Sequence, residues 1–139
     1  MFVFLISAIA AFLVSGAATL LSKTFLHGRI ALLGSFAGLE RSFNPGIAFG
    51  IRLPIQDALI TAALCAVVYF AWRFRQLRFQ QLAFGLIAGG AIANIADRLA
   101  DGYVTDYFQV GSFPVFNVAD SCITVGVFLL LMEGLWRKR

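Results

Sequence analysis

The segment Met1–Leu21 carries no charged side chain and is followed closely by Lys23. About 20 apolar residues is the length of a helical bilayer crossing, and inside hydrocarbon a chain must satisfy its own backbone N–H and C=O groups. A run of this kind leaves a single segment only the helix. The small-x-small triplet Ala8-Ile9-Ala10 has the form of a signal-peptide cleavage site, but the basic n-region of such signals is missing, so the segment is expected to remain as a span. Three further apolar runs follow, with acids only near their ends: Gln56–Trp72, Phe79–Ala96 and Asn117–Trp136. The expected fold is therefore a membrane all-α protein, a bundle of four transmembrane helices at about 1–21, 56–72, 79–96 and 117–136, forming one membrane domain over residues 1–139.

The composition agrees, at 60% hydrophobic, 13% charged and a mean hydropathy of +0.88. A net charge of +4 raises nucleic acid as a partner, but the basic residues lie between apolar runs and not on one face, so none is expected. They read instead as topology signals. Arg73, Arg75 and Arg78 crowd a short loop, and Arg137-Lys138-Arg139 ends the chain, which places both termini in the cytoplasm. Lys23, Arg29, Arg41 and Arg52, in the opposite loop, dissent mildly.

Residues 22–55 are too broken by glycine and proline to span. Ile30–Leu33 and Ile47–Ile51 suggest short strands, and Asn44-Pro45-Gly46 is turn chemistry, because Pro presets φ and Gly accepts φ > 0. A small β-like cradle at the extracytoplasmic membrane face, between the first and second helices, is expected here. In the third run, Gly85 and Gly89 have the spacing at which helix backbones approach closely in lipid. Asn94, Asp97 and Arg98 share a helical face at its end, with Asp97 and Arg98 expected to pair. Leu99–Phe116 reads as a loop, and Glu133 is expected to pair with Arg137. Cys65 and Cys122 lack a CxxC partner pattern and read as buried small hydrophobes, while His27 has no ligand set nearby, so no metal or cofactor is expected.

The chemistry resides in acids. Asp106 lies just outside a span and Asp120 begins the next. Carboxylates entering hydrocarbon are costly and usually functional. Two brought close together cannot both ionise cheaply, so one keeps a proton and the pair offers an acid and a base at once. The plainer readings are a helix first-turn acid for Asp120 and a solvated loop acid for Asp106, and Asp97 and Asp101 compete for pairing.

Three stretches carry a family resemblance. Phe43-Asn44-Pro45-Gly46-Ile47-Ala48-Phe49-Gly50 resembles the Asn-x-Gly-x-Ala-Phe box of the lipoprotein signal peptidases (signal peptidase II). The stretch from Gly89 through Asn94, Asp97 and Arg98 to Thr105-Asp106-Tyr107-Phe108 resembles that family's third block, and Phe113–Ser121 its last. The resemblance implies an intramembrane aspartyl endopeptidase of the bacterial cytoplasmic (inner) membrane, working as a monomer without a cofactor or metal. Its substrates would be diacylglyceryl-modified prolipoproteins, met among membrane lipids and cut before the lipid-bearing cysteine. It implies Asp106 and Asp120 as catalytic residues, Asn44, Asn94, Arg98 and Asn117 as substrate-binding residues, and Asp97 and Gly46 as structural support. The sequence departs from the family where Thr19 stands four residues before Lys23 in place of an acid. Ala93 likewise replaces a glycine, and the segment between the two aspartates is short. Two other readings follow: a catalytically inactive or specificity-altered relative that binds lipid-anchored peptides, and a small transporter or proton relay. The relay is disfavoured because the acids other than Glu133 cluster at one membrane face.

Overall fold

The computed structural model describes residues 1–46 and 55–136. It contains the helices α1 (Phe2–Phe25), α2 (Gln56–Arg73), α3 (Arg78–Asp101) and α4 (Val118–Trp136). Strands β1 (Ile30–Leu33) and β2 (Ala37–Asn44) follow α1, and β3 (Val104–Val110) and β4 (Phe113–Phe116) join α3 to α4. Three of the helices, α1, α3 and α4, are long and apolar enough to cross a membrane, while the apolar part of α2, Ala58–Arg73, is shorter.

Helix α3 is the central element, and small residues make it so. A Cβ added to Gly85 would stand 2.6 Å from the Phe4 carbonyl and run into the Ser7 hydroxyl, and one on Gly89 would stand 2.8 Å from the Ala11 Cβ. On its other side, Gly90 meets the Ala119 carbonyl at 2.5 Å, and Gly126 of α4 meets Ile87 and the Ala83 carbonyl at 2.6 and 2.7 Å. Backbones approach because nothing intervenes, which is how helices associate where apolar burial gives no drive. The large apolar side chains face outward instead, such as Leu5, Ile9 and Leu13 on α1 and Phe128, Leu131 and Leu135 on α4. Water would not tolerate so much contiguous apolar surface; lipid does. Cys65 is among the outward-facing residues and is exposed, not buried as expected, and Cys122 is half-buried. At the opposite end of the bundle from the sheet, Phe70, Phe74 and Phe84 stack at centroid distances of 6.2–6.4 Å, and buried Gln81 donates to the Ala71 carbonyl, joining α2 to α3.

The four strands form one antiparallel sheet in the order β1-β2-β3-β4. This corrects the expectation of a cradle built only between the first two helices, since half of its strands come from the segment expected to be a loop. Residues 99–101 complete α3, and Gly102 ends it at φ 82, with its amide donating to the Arg98 carbonyl at 2.8 Å. Only glycine adopts that left-handed cap without strain. Val104–Val110 is rich in β-branched and aromatic residues and pairs across its length with β2, Phe43 opposite Thr105 and Ser42 opposite Asp106. Of the two strands expected in region 22–55, Ile30–Leu33 is β1, and Ile47–Ile51 lies outside the described residues, as does Arg137, the partner expected for Glu133.

Candidate active site

The C-terminal ends of α1 and α3, the N-terminal end of α4 and the middle of β3 converge beneath the sheet. Asp106 projects there from β3 and is 3% exposed. Asp120 comes from the first turn of α4. Asn117, itself buried, joins the two. Its amide nitrogen donates to Asp106 Oδ1 at 2.8 Å and to Asn94 Oδ1 at 3.1 Å, and its amide oxygen accepts the Asp120 N–H at 2.9 Å. Asp120 returns the contact, Oδ2 accepting the Asn117 N–H at 3.1 Å, while its Oδ1 accepts from the Asn94 amide at 2.9 Å.

Asn117 and Asp120 therefore form a reciprocal capping box, three residues apart at the helix start. The plain reading of Asp120 as a first-turn acid is correct. Asp106 is not the solvated loop acid of the plainer reading. Burial pushes its carboxyl up to about 6, and the Asp120 charge adds to this, while hydrogen bonds from Asn44 and Asn117 pull the other way and the charge of Asp97 contributes a further small rise. Desolvation leads because a buried carboxylate loses its water shell and these amides replace only part of it.

Asn44 reaches Asp106 because it sits on β2 opposite Val104, diagonal to Asp106 on one face of the sheet. Its Oδ1 accepts the Gly46 N–H at 3.0 Å, closing the turn at Pro45. Arg98 donates from Nη2 to the Gly46 carbonyl at 2.6 Å, holding that turn against α3. Arg98 Nε is buried and has no partner among the described residues. The expected Asp97–Arg98 pair does not form. Asp97 is instead paired through Oδ1 with Lys23 of α1, which also reaches Asp101, and its Oδ2 accepts the Thr105 N–H at 2.7 Å. Adjacent residues on a helix diverge by about 100°, so Asp97 faces α1 and Arg98 faces the turn.

A cavity of about 420 Å³ opens on the pair, lined by Asn44, Asp106 and Asp120 on one wall and by apolar β4, Phe113 to Phe116, on the other. A second, of about 230 Å³, lies between α2, α3 and α4, with Ile60, Leu64 and Val67 facing Asn94, Arg98 and Asp120. Asp120 lines both, so it stands where a crevice within the bundle meets the space under the sheet. The site thus brings together Asp106, Asp120, Asn44, Asn94 and Asn117, with Asp97, Arg98 and Gly46 in support of the surrounding elements. Sequence reasoning missed Lys23 as the partner of Asp97 and Tyr107, whose hydroxyl accepts the Val118 N–H at 3.3 Å. A lone lysine just past an uncharged span was the available signal for the first. Among the described residues, no three His, Cys, Asp or Glu side chains are grouped to hold a metal.

Residues 2–136 match the family model described as Signal peptidase (SPase) II. The chain is 37% identical over 128 residues to the lipoprotein signal peptidase of Burkholderia vietnamiensis, covering 84% of this chain and 77% of that one. It is 31% identical over 120 residues to that of Lactiplantibacillus plantarum, covering 83% and 80%. Its fold superposes with a TM-score of 0.86 on a bacterial membrane enzyme solved by the in meso method, at 26% identity, covering 97% of this chain and 88% of the other.

Proposed function

The chain belongs to the signal peptidase II family, and on that premise we propose that Asp106 and Asp120 are its catalytic carboxyl pair. It is an aspartic-type endopeptidase that removes the signal peptide from prolipoproteins. The observation that carries the residue assignment is Asn117, which bonds Asp106 and Asp120 at once and holds both on the wall of one cavity.

Asp106, the desolvated carboxyl, carries the shared proton, and Asp120 is the base. Asp120 takes a proton from water as the water oxygen bonds to the scissile carbonyl carbon, and Asp106 gives its proton to the carbonyl oxygen. The tetrahedral gem-diol then collapses: its C–N bond breaks as Asp120 passes its proton to the departing amine, and one hydroxyl proton returns to Asp106. Asn44, Asn94 and Arg98 hold the substrate backbone, while Asn117, read from the sequence as a fourth such residue, is buried and holds the two carboxyls instead. Arg98 Nε and the amide groups around the pair are the donors suited to this, while Asp97 and Gly46 support them.

The substrate is a diacylglyceryl-modified prolipoprotein, cut before its lipidated cysteine. The apolar walls of the two cavities suit a cleavage site that lies at the end of an apolar helix and next to a lipid. We place four spans in the bacterial cytoplasmic membrane, with both termini cytoplasmic and the site near the extracytoplasmic face. Supporting this, the sheet caps one end of the bundle and Arg73, Arg75 and Arg78 mark the other. Asn44, Asn94 and Asn117 of the same chain serve both carboxyls, which supports a monomer as the working unit within a single membrane domain, 1–139. A binding-only relative is not favoured, since both carboxyls are kept.

The test is cleavage of a lipid-modified precursor by Asp106→Asn and Asp120→Asn, each purified as folded, membrane-inserted protein. Each variant is expected to lose processing by at least about a thousandfold. Wild-type processing by either one would remove that residue from the pair.

A further inference from the structure

Asp106 lies in β3 between Thr105 and Tyr107, and both neighbours are tied back to the last turns of α1. The Thr105 N–H donates to Asp97, and Asp97 is paired with Lys23. The Tyr107 hydroxyl accepts the Val118 N–H at 3.3 Å and lies beside the side-chain hydroxyl of Thr19. Thr19 and Lys23 are four residues apart and so project from one face of α1. Tyr107 is 4% exposed, so its hydroxyl is held in place between α1 and the first residue of α4. Alternate residues of a strand point to opposite faces, which puts the Tyr107 side chain behind the strand and Asp106 in front. Asp120 lies two positions beyond Val118. A single phenol thus fastens the strand bearing one carboxyl to the helix bearing the other, and sets both against a third element.

We infer that Thr19 and Tyr107 are positioning residues for the cleavage reaction, their adjacent hydroxyls setting how far Asp106 reaches toward Asp120. The inference rests on reading that pair as catalytic. A threonine is suited to the task because its hydroxyl meets the phenol without adding a charge near Asp97, Asp106 and Asp120, where a further anion would repel all three. Neither hydroxyl lines the cavity that opens on the pair, so their influence passes through Asp106 and the start of α4.

The experiment compares Thr19→Val, Thr19→Ser, Tyr107→Phe and the Thr19→Val/Tyr107→Phe double variant, as full-length protein in lipid. Each is assayed for kcat and KM on a diacylglyceryl-modified precursor peptide and for thermal unfolding, with Asp106→Asn alongside. Thr19→Val and Tyr107→Phe should each lower kcat about tenfold, the loss expected when a reacting group drifts, with KM little changed. The double variant should be no slower than Tyr107→Phe alone, to within about twofold, because both changes cut one link. Thr19→Ser restores the hydroxyl and should restore kcat. Unchanged kcat in Thr19→Val and Tyr107→Phe, or losses that multiply in the double variant, would overturn the inference, as would a fall in kcat explained wholly by loss of folded protein. If Asp106→Asn is inactive while Tyr107→Phe is unimpaired, only the positioning role fails; if Asp106→Asn still cleaves, the catalytic assignment fails and the positioning role falls with it.

Discussion

Replacing Asp106 by Asn should make the protein more stable above neutral pH while destroying its activity. Burial and the neighbouring Asp120 raise the Asp106 carboxyl from 3.8 to about 6. Each tenfold change in proton affinity is about 1.4 kcal/mol, so holding the charged form in the folded state costs about 3 kcal/mol at most. The sign follows from the direction. A folded-state value raised above the unfolded one gives stability that is fully present below about pH 4 and is lost as pH rises through about 6. Asn is nearly isosteric and neutral, and its Oδ1 can still accept the bond that Asn117 makes to Asp106 at 2.8 Å. The advantage of the variant over wild type should therefore be close to zero at pH 4, grow between pH 4 and 6, and level off near 3 kcal/mol by pH 8. Denaturant unfolding in detergent micelles, followed by the fluorescence of Trp72 and Trp136 across this pH range, measures it. A difference that does not vary with pH, or a wild type that is the more stable at pH 8, would refute the desolvation account of this carboxyl.

Two further outcomes concern the frame. Gly89→Val should disrupt the contact of α3 with α1, since even its Cβ would stand 2.8 Å from that of Ala11, costing about 3 kcal/mol or more and reducing the folded monomer recovered on gel filtration in detergent. Gly16→Ala is the control, because nothing lies within 4 Å of the added methyl, and it should be neutral or stabilising by up to about 1 kcal/mol. Lys23→Met should destabilise by about 3 kcal/mol in the same unfolding assay, because Asp97, whose side chain is only 9% exposed, then keeps a charge without its counterion.

The helices were legible because hydropathy is a local property. The expected limits 56–72 and 117–136 fall within a residue of α2 and α4. The third helix runs on to Asp101 past its expected end at Ala96, where Asp97 and Asp101 share Lys23 as counterion and Gly102 supplies the cap. Lys23 stands far away in sequence, and no spacing rule could connect it to α3. The sheet was half legible for the same reason. Val104–Val110 has strand composition, but its pairing with Ala37–Asn44 closes a long loop, and β2 itself mixes buried and exposed positions without alternating. Proximity in sequence suggested Arg98 as the partner of Asp97, whereas helix geometry turns the two side chains apart. The site residues themselves were readable only as types and by resemblance: two acids and two asparagines near the ends of spans, and a third asparagine in a turn. That Asn117 would touch both acids depended on the helix starting at Val118, a boundary one residue either way would have undone.

That boundary also bears on how sequence variation in such a protein will look. Asn117 caps the helix that bears Asp120 with its side-chain oxygen and holds Asp106 with its side-chain nitrogen, so one amide answers to two selective pressures. A genetic screen scored on lipoprotein processing will find this position as intolerant as either aspartate. It will be counted among the catalytic residues though it transfers no proton, and an acid–base role inferred from intolerance alone would be assigned to a residue whose contribution is to make the start of a helix and the spacing of two carboxyls the same event.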